Sequence, residues 1–367
     1  MQINILLPHK EKFTKNKMSS VSITVKNNLN FTIFKKDLKI FGQYVEEPIY
    51  PENFVGIKNP SFFFQSKNKN IAKEMCKILN KKFPHQKHLI EVHNRPYLID
   101  IINQRIKNKL ITIFFHNDPQ QMKGSKSIRE RDKILSVVNK VFCVSEFVKN
   151  KFLDGIEDFD NKVEVLYNGV PRNIKKIPNK QKEIIFVGKI IKEKGPHLFV
   201  DAVKKIYPNL IDWNFSIIGS KKLGENKNKN IFVRKICKDF SQIGSRTRLT
   251  GFLSQMELDK IFKEASIIVI PSIWEEPFGL IAAEAMANGV AIISSNLGGL
   301  KEIIDKNGII LTDINSENIA EAIMYLTNNE NILKKYQTLS WENFMFSADR
   351  SARLLDDHRK SLFKLVN

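Results

Sequence analysis

Short apolar runs rich in isoleucine, valine and phenylalanine alternate with longer amphipathic stretches from one end of this 367-residue chain to the other. That alternation predicts an α/β protein with mainly parallel sheets. In the first half the runs predict strands at residues 3–7, 31–34, 89–92, 111–115, 141–144 and 163–166, with helices that include 71–80 and 125–138. Residues 171–182, PRNIKKIPNKQK, carry two prolines and no hydrophobic period, and they read as a linker. The pattern then restarts. Strands are expected at 184–187, 215–218, 248–253, 267–270 and 291–294, and helices at 196–206, 280–287 and 317–326. Ser254 and Glu257 form a capping box that opens a further helix. The expected organisation is a first domain at 1–170, the linker at 171–182, and a second domain at 183–342. A last helical segment at 343–367 is expected to rejoin the first domain.

The densest chemical signal follows the run at 267–270. The chain continues PSIWEEPFGLIAAEAMANG, in which the helix 280–287 is stopped by Asn288-Gly289 as a C-cap pair. Pro277 suits the first turn of that helix, where no amide hydrogen is missed. Glu276 then stands at the mouth of a helix N-terminus, where free amides and the dipole favour an anion such as a phosphate. Glu284 sits among alanines about two turns in. Two glutamates eight apart otherwise describe a solvated helix face, but an unpartnered carboxylate in so apolar a segment is costly, so Glu284 is expected to have a hydrogen-bonding duty. Carboxylates flanking a phosphate site suit polyol hydroxyls, and the combination describes a sugar-nucleotide pocket.

This segment resembles the donor-site signature of the family 4 retaining glycosyltransferases. The resemblance implies the GT-B fold, two Rossmann-like domains with a cleft between them, and transfer of a sugar from a nucleoside diphosphate sugar to a hydroxyl. It implies that Glu276 holds the donor sugar and Glu284 the ribose, with Pro277, Phe278, Gly279 and Leu280 around the diphosphate. Lys189 and Lys194, after the strand 184–187, would neutralise the departing diphosphate. Lys194-Gly195 matches the family pattern, whereas Lys189 replaces the usual arginine, keeping the charge and losing the bidentate fork. Gly219, at the end of its strand, reads as a place where a nucleoside approaches the backbone or as a simple tight turn. Gly298-Gly299 reads as an anion-binding nest or a turn. In the first domain, His116 is the best match to the histidine that contacts the transferred sugar. Asn117 and Asp118 follow it, and His93, Asn94 and Arg95 form a second polar strand end; all five are expected on the acceptor side. Asn168-Gly169-Val170 matches the family's domain-closing triplet, with Pro171 where an aspartate is usual. The glycine-rich turn of many relatives is missing, and Ser19 and Ser20 are expected to offer hydroxyls and amides to the donor in its place. The resemblance further implies front-face attack assisted by the leaving phosphate. The catalytic set it implies is His116, Glu276 and Lys194.

Composition adds bounds. Three cysteines, Cys76, Cys143 and Cys237, lie far apart with no CxxC, which argues for a reducing compartment and against a metal site. No Asp-x-Asp clamp stands out, so neither metal nor cofactor is expected. No apolar run reaches a membrane span, the start MQINILLPHK lacks a basic leader, and the expected location is cytoplasmic. The net charge is +20, and residues 1–170 carry 29 Lys/Arg against 17 Asp/Glu. Clusters such as 67–87 and 123–133 suit a peripheral contact with an anionic membrane face or a lipid-linked acceptor, although a lysine-rich composition by itself names no partner. Cell-envelope polysaccharide or lipopolysaccharide synthesis is the expected setting. The alternatives are another GT-B enzyme, a nucleotide-sugar epimerase or phosphorylase, and a basic nucleic-acid-binding protein. The last is disfavoured because no recognition motif or aromatic interleaving accompanies the basic runs.

Overall fold

The computed structural model describes residues 2–15, 18–59, 66–157, 161–219 and 231–364. The chain divides into two compact units, Met1–Gly169 with Ala348–Asn367, and Val170–Ser347. The second therefore extends past residue 342 to Ser347 before the chain returns to the first. The final three residues of the expected terminal segment lie outside the described residues.

The first unit contains the strands β1 (Gln2–Leu6), β2 (Leu38–Gln43), β3 (Phe54–Ile57), β4 (His88–His93), β5 (Lys109–Phe115), β6 (Lys140–Cys143) and β7 (Val163–Val165). They form one sheet in the order β3-β2-β1-β4-β5-β6-β7, and every pairing is parallel. Helices α1 (Ser20–Phe31), α2 (Lys67–Lys82), α3 (Ile99–Arg105), α4 (Ile128–Val137) and α5 (Glu146–Leu153) connect them. Every residue of β1 and β4 is buried, as expected of central strands in a parallel sheet covered on both faces.

Two expectations fail here. No strand forms at 31–34: α1 runs through Phe31, and the second strand lies at Leu38–Gln43. The α1 sequence, SVSITVKNNLNF, has poor helix propensity, but Val21, Val25 and Leu29 recur every four residues and all enter the core. The apolar run Phe31-Thr-Ile-Phe34 was deceptive because Phe31 and Ile33 are exposed. The helix expected at 125–138 begins later, at Ile128, behind a capping box formed by Ser127 and Glu130.

The second unit contains β8 (Gln181–Val187), α6 (Pro196–Ile206), β9 (Asn214–Ile218), α7 (Ile231–Ser241), β10 (Thr247–Gly251), α8 (Gln255–Glu264) and β11 (Ala265–Ile270). It continues with α9 (Leu280–Ala287), β12 (Ala291–Ser295), α10 (Leu300–Ile304), β13 (Ile309–Leu311), α11 (Ser316–Thr327) and α12 (Glu330–Glu342). Its parallel sheet runs β10-β9-β8-β11-β12-β13, so the order reverses between β8 and β11. Phe186, Phe199, Val203, Phe215, Phe240 and Ile267 are part of a single apolar core in this unit.

The expected linker is packed rather than free. Arg172 stacks over Trp341, 3.2 Å from the ring centroid. Lys180 donates to the carbonyls of Phe262 and Asn288 at 2.9 and 2.8 Å, and burial lowers its pKa to about 7. Polar side chains thus tie an unpatterned segment to helix ends, a contact that hydrophobic periodicity does not register.

The chain ends in α13 (Ala348–Lys364), which belongs to the first unit. Arg359 of α13 is 2% exposed and binds both oxygens of Glu91 on β4 at 2.8 Å. It also donates to Asp356 Oδ1 (3.0 Å) and Thr32 Oγ1 (3.1 Å). This buried network fastens α13 to the sheet.

Candidate functional site

In the second unit the expected donor residues gather at the carboxyl ends of β8 and β11, the two strands between which the sheet order reverses. This is where doubly wound sheets bind ligands. After β8 the chain passes through Gly188 and the exposed Lys189 into a short turn whose last residue is Lys194. Gly195, with φ +67°, caps the N-terminus of α6. After β11 comes the loop Pro271–Gly279, whose Ile273 N–H donates to Glu193 O at 2.9 Å and so ties the two strand ends together.

The Lys194 ammonium pairs with Glu276 Oε1. Ser272 Oγ donates to the same oxygen at 2.7 Å, and the Lys194 Nζ lies 5.3 Å from the Trp274 ring centroid. Glu276 is only 7% exposed, so its charge is matched by a cation and a hydroxyl rather than by water. Gly298 (φ +66°) and Gly299 clamp the loop from the other side: the Gly299 N–H donates to Glu276 O at 2.6 Å, and Gly298 bridges Glu276 in parallel β fashion. The glycine pair grips the glutamate loop, because a Cβ on Gly298 would lie 2.3 Å from Glu276 O. Gly219 plays a similar part, since a Cβ there would lie 1.8 Å from Gly188 O. Replacing Gly195 with alanine would set a methyl 1.9 Å from Pro271 O at a φ that disfavours L side chains. Gly195→Ala is expected to lower stability by about 1–3 kcal/mol and to displace Lys194, checked by thermal melting and nucleotide binding together.

One correction concerns α9. Helical geometry starts at Leu280 with Gly279 as a left-handed N-cap, so Pro277 lies in the preceding turn and not in the first helical turn. Phe278 is buried against Phe346, ring centroids 5.7 Å apart. Glu284 sits one face inward, 8% exposed, and accepts from Gln255 Nε2 of α8 at 3.0 Å. Burial pushes its pKa up to about 7, against the opposing effect of the Gln255 hydrogen bond. The folded state therefore holds the proton more tightly than the unfolded chain between pH 4.5 and about 7. The stability this confers is complete below 4.5 and is lost as pH rises through about 7. Glu284→Gln should flatten that slope and gain at most about 3 kcal/mol on the wild type at pH 8. Urea midpoints of the two proteins that fall in parallel from pH 5 to 8 would refute this.

In the first unit, His116 ends up just beyond β5 and His93 at the end of β4. His93 Nδ1 and His116 Nε2 are 2.8 Å apart, and His93 stacks on Phe114 at 4.5 Å between centroids. Burial lowers both pKa values, that of His116 to about 4, although the Asn168 side chain hydrogen-bonds His116 and pulls the other way. Both imidazoles are neutral at pH 7. His93 and Asn94, expected to face an acceptor, are instead 4% and 3% exposed. His93 closes a strand covered on both faces. Asn94, at φ +52°, turns its Oδ1 to accept the His116 backbone N–H at 2.7 Å. Arg95 donates to Asn94 O. Asn117 is exposed, and the Asp118 carboxylate caps its own turn by accepting from Gln120 N at 2.8 Å.

Ser19 is the N-cap of α1, but its hydroxyl donates to Glu11, whose carboxylate also accepts from Ser22 N at 3.3 Å. The helix end expected to offer Ser19 to a phosphate therefore faces a carboxylate of its own chain. Ser20 is exposed, with its carbonyl accepting from Thr24. Sequence reasoning assigned no role to Ser272, Gln255 or Glu11. Ser272 and Gln255 reach the glutamates only through the fold, and Glu11 lies in a segment with no recognisable motif. Among the described residues no group of three His, Cys, Asp or Glu side chains is arranged to hold a metal ion, and no helix is long and apolar enough to cross a membrane.

Comparisons with known proteins bear on the fold and on the second unit's sequence. The family model for glycosyl transferases group 1 matches residues 171–340. An uncharacterized glycosyltransferase of Methanocaldococcus jannaschii is 31% identical over 229 residues, covering 60% of each chain. The chain spans about three-fifths of the length of the curated relatives it matches. Among solved structures, sucrose-phosphate synthase from Thermosynechococcus elongatus superposes with a TM-score of 0.79 at 17% identity, covering 100% of both chains. HepE of Anabaena, in complex with UDP-glucose, superposes with a TM-score of 0.72 at 14% identity, covering 98% of this chain and 100% of that one. The chain has the GT-B fold, and its residues 171–340 are similar throughout to the glycosyl transferases group 1.

Proposed function

We propose that this protein transfers a sugar from a nucleoside diphosphate sugar to a hydroxyl acceptor, with retention at the anomeric carbon and without a metal. The observation that carries the reading is the Lys194–Glu276–Ser272 cluster, held at the strand ends where the second sheet reverses its order. Lys194, with Lys189 nearby in the chain, stabilises the negative charge that grows on the diphosphate as the glycosidic bond breaks. Glu276 accepts hydroxyls of the donor sugar, and its pairing with Lys194 holds the carboxylate in place. Glu284 accepts the ribose hydroxyls. Those donors favour the carboxylate over the acid, so nucleotide affinity rises with pH through about 7. His116 contacts the transferred sugar as a neutral imidazole, and attack comes from the face that the diphosphate leaves, with a phosphate oxygen taking the acceptor proton. The acceptor is a glycan or a lipid-linked sugar of the cell envelope, a reading supported by the resemblance and by the positive charge, which is denser in residues 1–170. That charge also favours work at the cytoplasmic face of an anionic membrane.

The test is thermal-shift binding against UDP, GDP, ADP and their sugar conjugates, repeated with Glu284→Ala. A ligand at a hundredfold excess over its Kd adds about 2.7 kcal/mol to the folded state. A shift with one nucleotide, lost in the variant, identifies the donor base. NMR of the product made with that donor, in the presence of EDTA, then reads the anomer. No shift with any nucleotide, or an inverted product, sinks the corresponding part of the proposal. Release of sugar phosphate only when phosphate is supplied would point to a phosphorylase instead.

A further inference from the structure

Behind the two histidines lies a buried polar network that the transfer chemistry leaves unexplained. Arg359 has five N–H donors. Four of them have acceptors: Nε and one Nη2 hydrogen on Glu91, and two on Nη1 for Thr32 and Asp356. One Nη2 hydrogen remains. Beside the guanidinium is a cavity of about 10 Å³ whose lining includes Asn28, Thr32, Glu91, His93 and Arg359, all buried. That volume holds one water. Two atoms of the lining residues, Asn28 Oδ1 and His93 Nε2, are buried with no protein partner among the described residues.

A single water satisfies all three groups in one arrangement: it accepts from Arg359 Nη2 and donates one hydrogen to Asn28 Oδ1 and the other to His93 Nε2. The opposite tautomer would turn a His93 N–H toward the guanidinium charge and strand one water hydrogen. With Nε2 accepting, the His93 proton sits on Nδ1, 2.8 Å from His116 Nε2. His116 Nε2 must then accept, which leaves its own proton on Nδ1. Asn168, the other hydrogen-bonding neighbour of that imidazole, offers an amide oxygen to receive it.

We propose that His93 is a positioning residue: a buried water held by Arg359, Asn28 and His93 sets the His93 tautomer, and His93 in turn holds the proton of His116 on Nδ1. This rests on the reading above, in which His116 meets the transferred sugar. It fixes the His116 ring between His93 and Asn168, with its one N–H turned to the Asn168 oxygen, so that the ring meeting the transferred sugar is held in a single orientation. It also gives the buried Glu91–Arg359 pair a part in substrate recognition through the C-terminal helix.

The experiment is a two-bond 1H–15N correlation spectrum of the full chain labelled with 15N-histidine at pH 7, which separates Nδ1–H from Nε2–H imidazoles. Both His93 and His116 should show the Nδ1–H pattern. His93→Asn, which places an amide N–H where the ring N–H stood, should preserve the His116 pattern. His93→Leu should move His116 toward Nε2–H, and Asn28→Leu should disturb His93 first. With a nucleotide sugar as substrate, His93→Leu should lower kcat about tenfold, the effect of one misplaced hydrogen bond, with the donor KM unchanged. An Nε2–H pattern for His116 in the wild type overturns the proposal. So does a His116 pattern indifferent to His93→Leu, even if turnover falls, because His93 would then be merely structural. If the wild type turns over no nucleotide sugar, the transferase reading fails while the spectrum still decides the tautomer.

Discussion

Lys194→Ala is expected to reduce turnover by about 10²- to 10³-fold, the usual cost of removing one preorganised group aimed at developing negative charge. The geometry explains why the loss exceeds that of an ordinary surface lysine. Lys194 closes the short turn that follows β8, its ammonium pairs with Glu276, and the next residue, Gly195, is locked under Pro271 O. Truncation would remove the charge proposed to face the diphosphate and would also leave the Glu276 carboxylate, 7% exposed, held by the Ser272 hydroxyl without its cation. Two effects therefore combine, and Lys194→Arg separates them. Arginine keeps the cation, so Glu276 stays paired, but its planar fork cannot reproduce the ammonium's position. Lys194→Arg should melt close to the wild type and recover part of the lost rate. Steady-state kinetics with the donor identified by thermal shift is the measurement. A Lys194→Ala enzyme within threefold of the wild type would remove Lys194 from the chemistry.

Arg359→Leu should destabilise the first unit by about 3–5 kcal/mol, because it leaves the buried Glu91 carboxylate, 1% exposed, without its cation. The coupled replacement of Glu91 and Arg359 by hydrophobic residues should recover much of that loss, since two well-packed apolar side chains need no compensating charge. The chain carries its own selective probe. All three tryptophans, Trp213, Trp274 and Trp341, belong to the second unit. Urea unfolding of Arg359→Leu should show an early transition by circular dichroism that tryptophan fluorescence does not follow. A single midpoint within about 1 kcal/mol of the wild type would mean that the ion pair is dispensable.

Local chemistry was legible in the sequence where it is decided locally. The bounds of α6 and α9 were readable from periodicity, and the Ser254–Glu257 capping box is present with both of its hydrogen bonds, because these depend on residues within a turn or two. The α/β alternation and the restart after residue 180 were readable for the same reason: a parallel strand buried on both faces must be apolar throughout. Where a remote partner decides the outcome, the pattern misled. Thr32 and Ile33 read as the middle of a strand, yet the Thr32 hydroxyl and the Ile33 N–H are taken by Asp356, more than 320 residues away. His93, Asn94 and Asp118 read as an open polar rim, whereas His93 Nδ1 meets His116, Asn94 Oδ1 takes the His116 backbone N–H, and Asp118 caps its own turn.

The class of fold, the two-part organisation and the segments that carry the glutamates, lysines and glycines of the candidate donor site follow from residue order alone. Which partner each group has is set by the packing of distant segments: Lys194 and Ser272 for Glu276, Gln255 for Glu284, Glu91 for Arg359, and His93 for His116. The reason is physical. Helix and strand formation follow from a few neighbouring residues, but a buried charge or imidazole takes its protonation and orientation from whatever the fold brings within hydrogen-bonding distance.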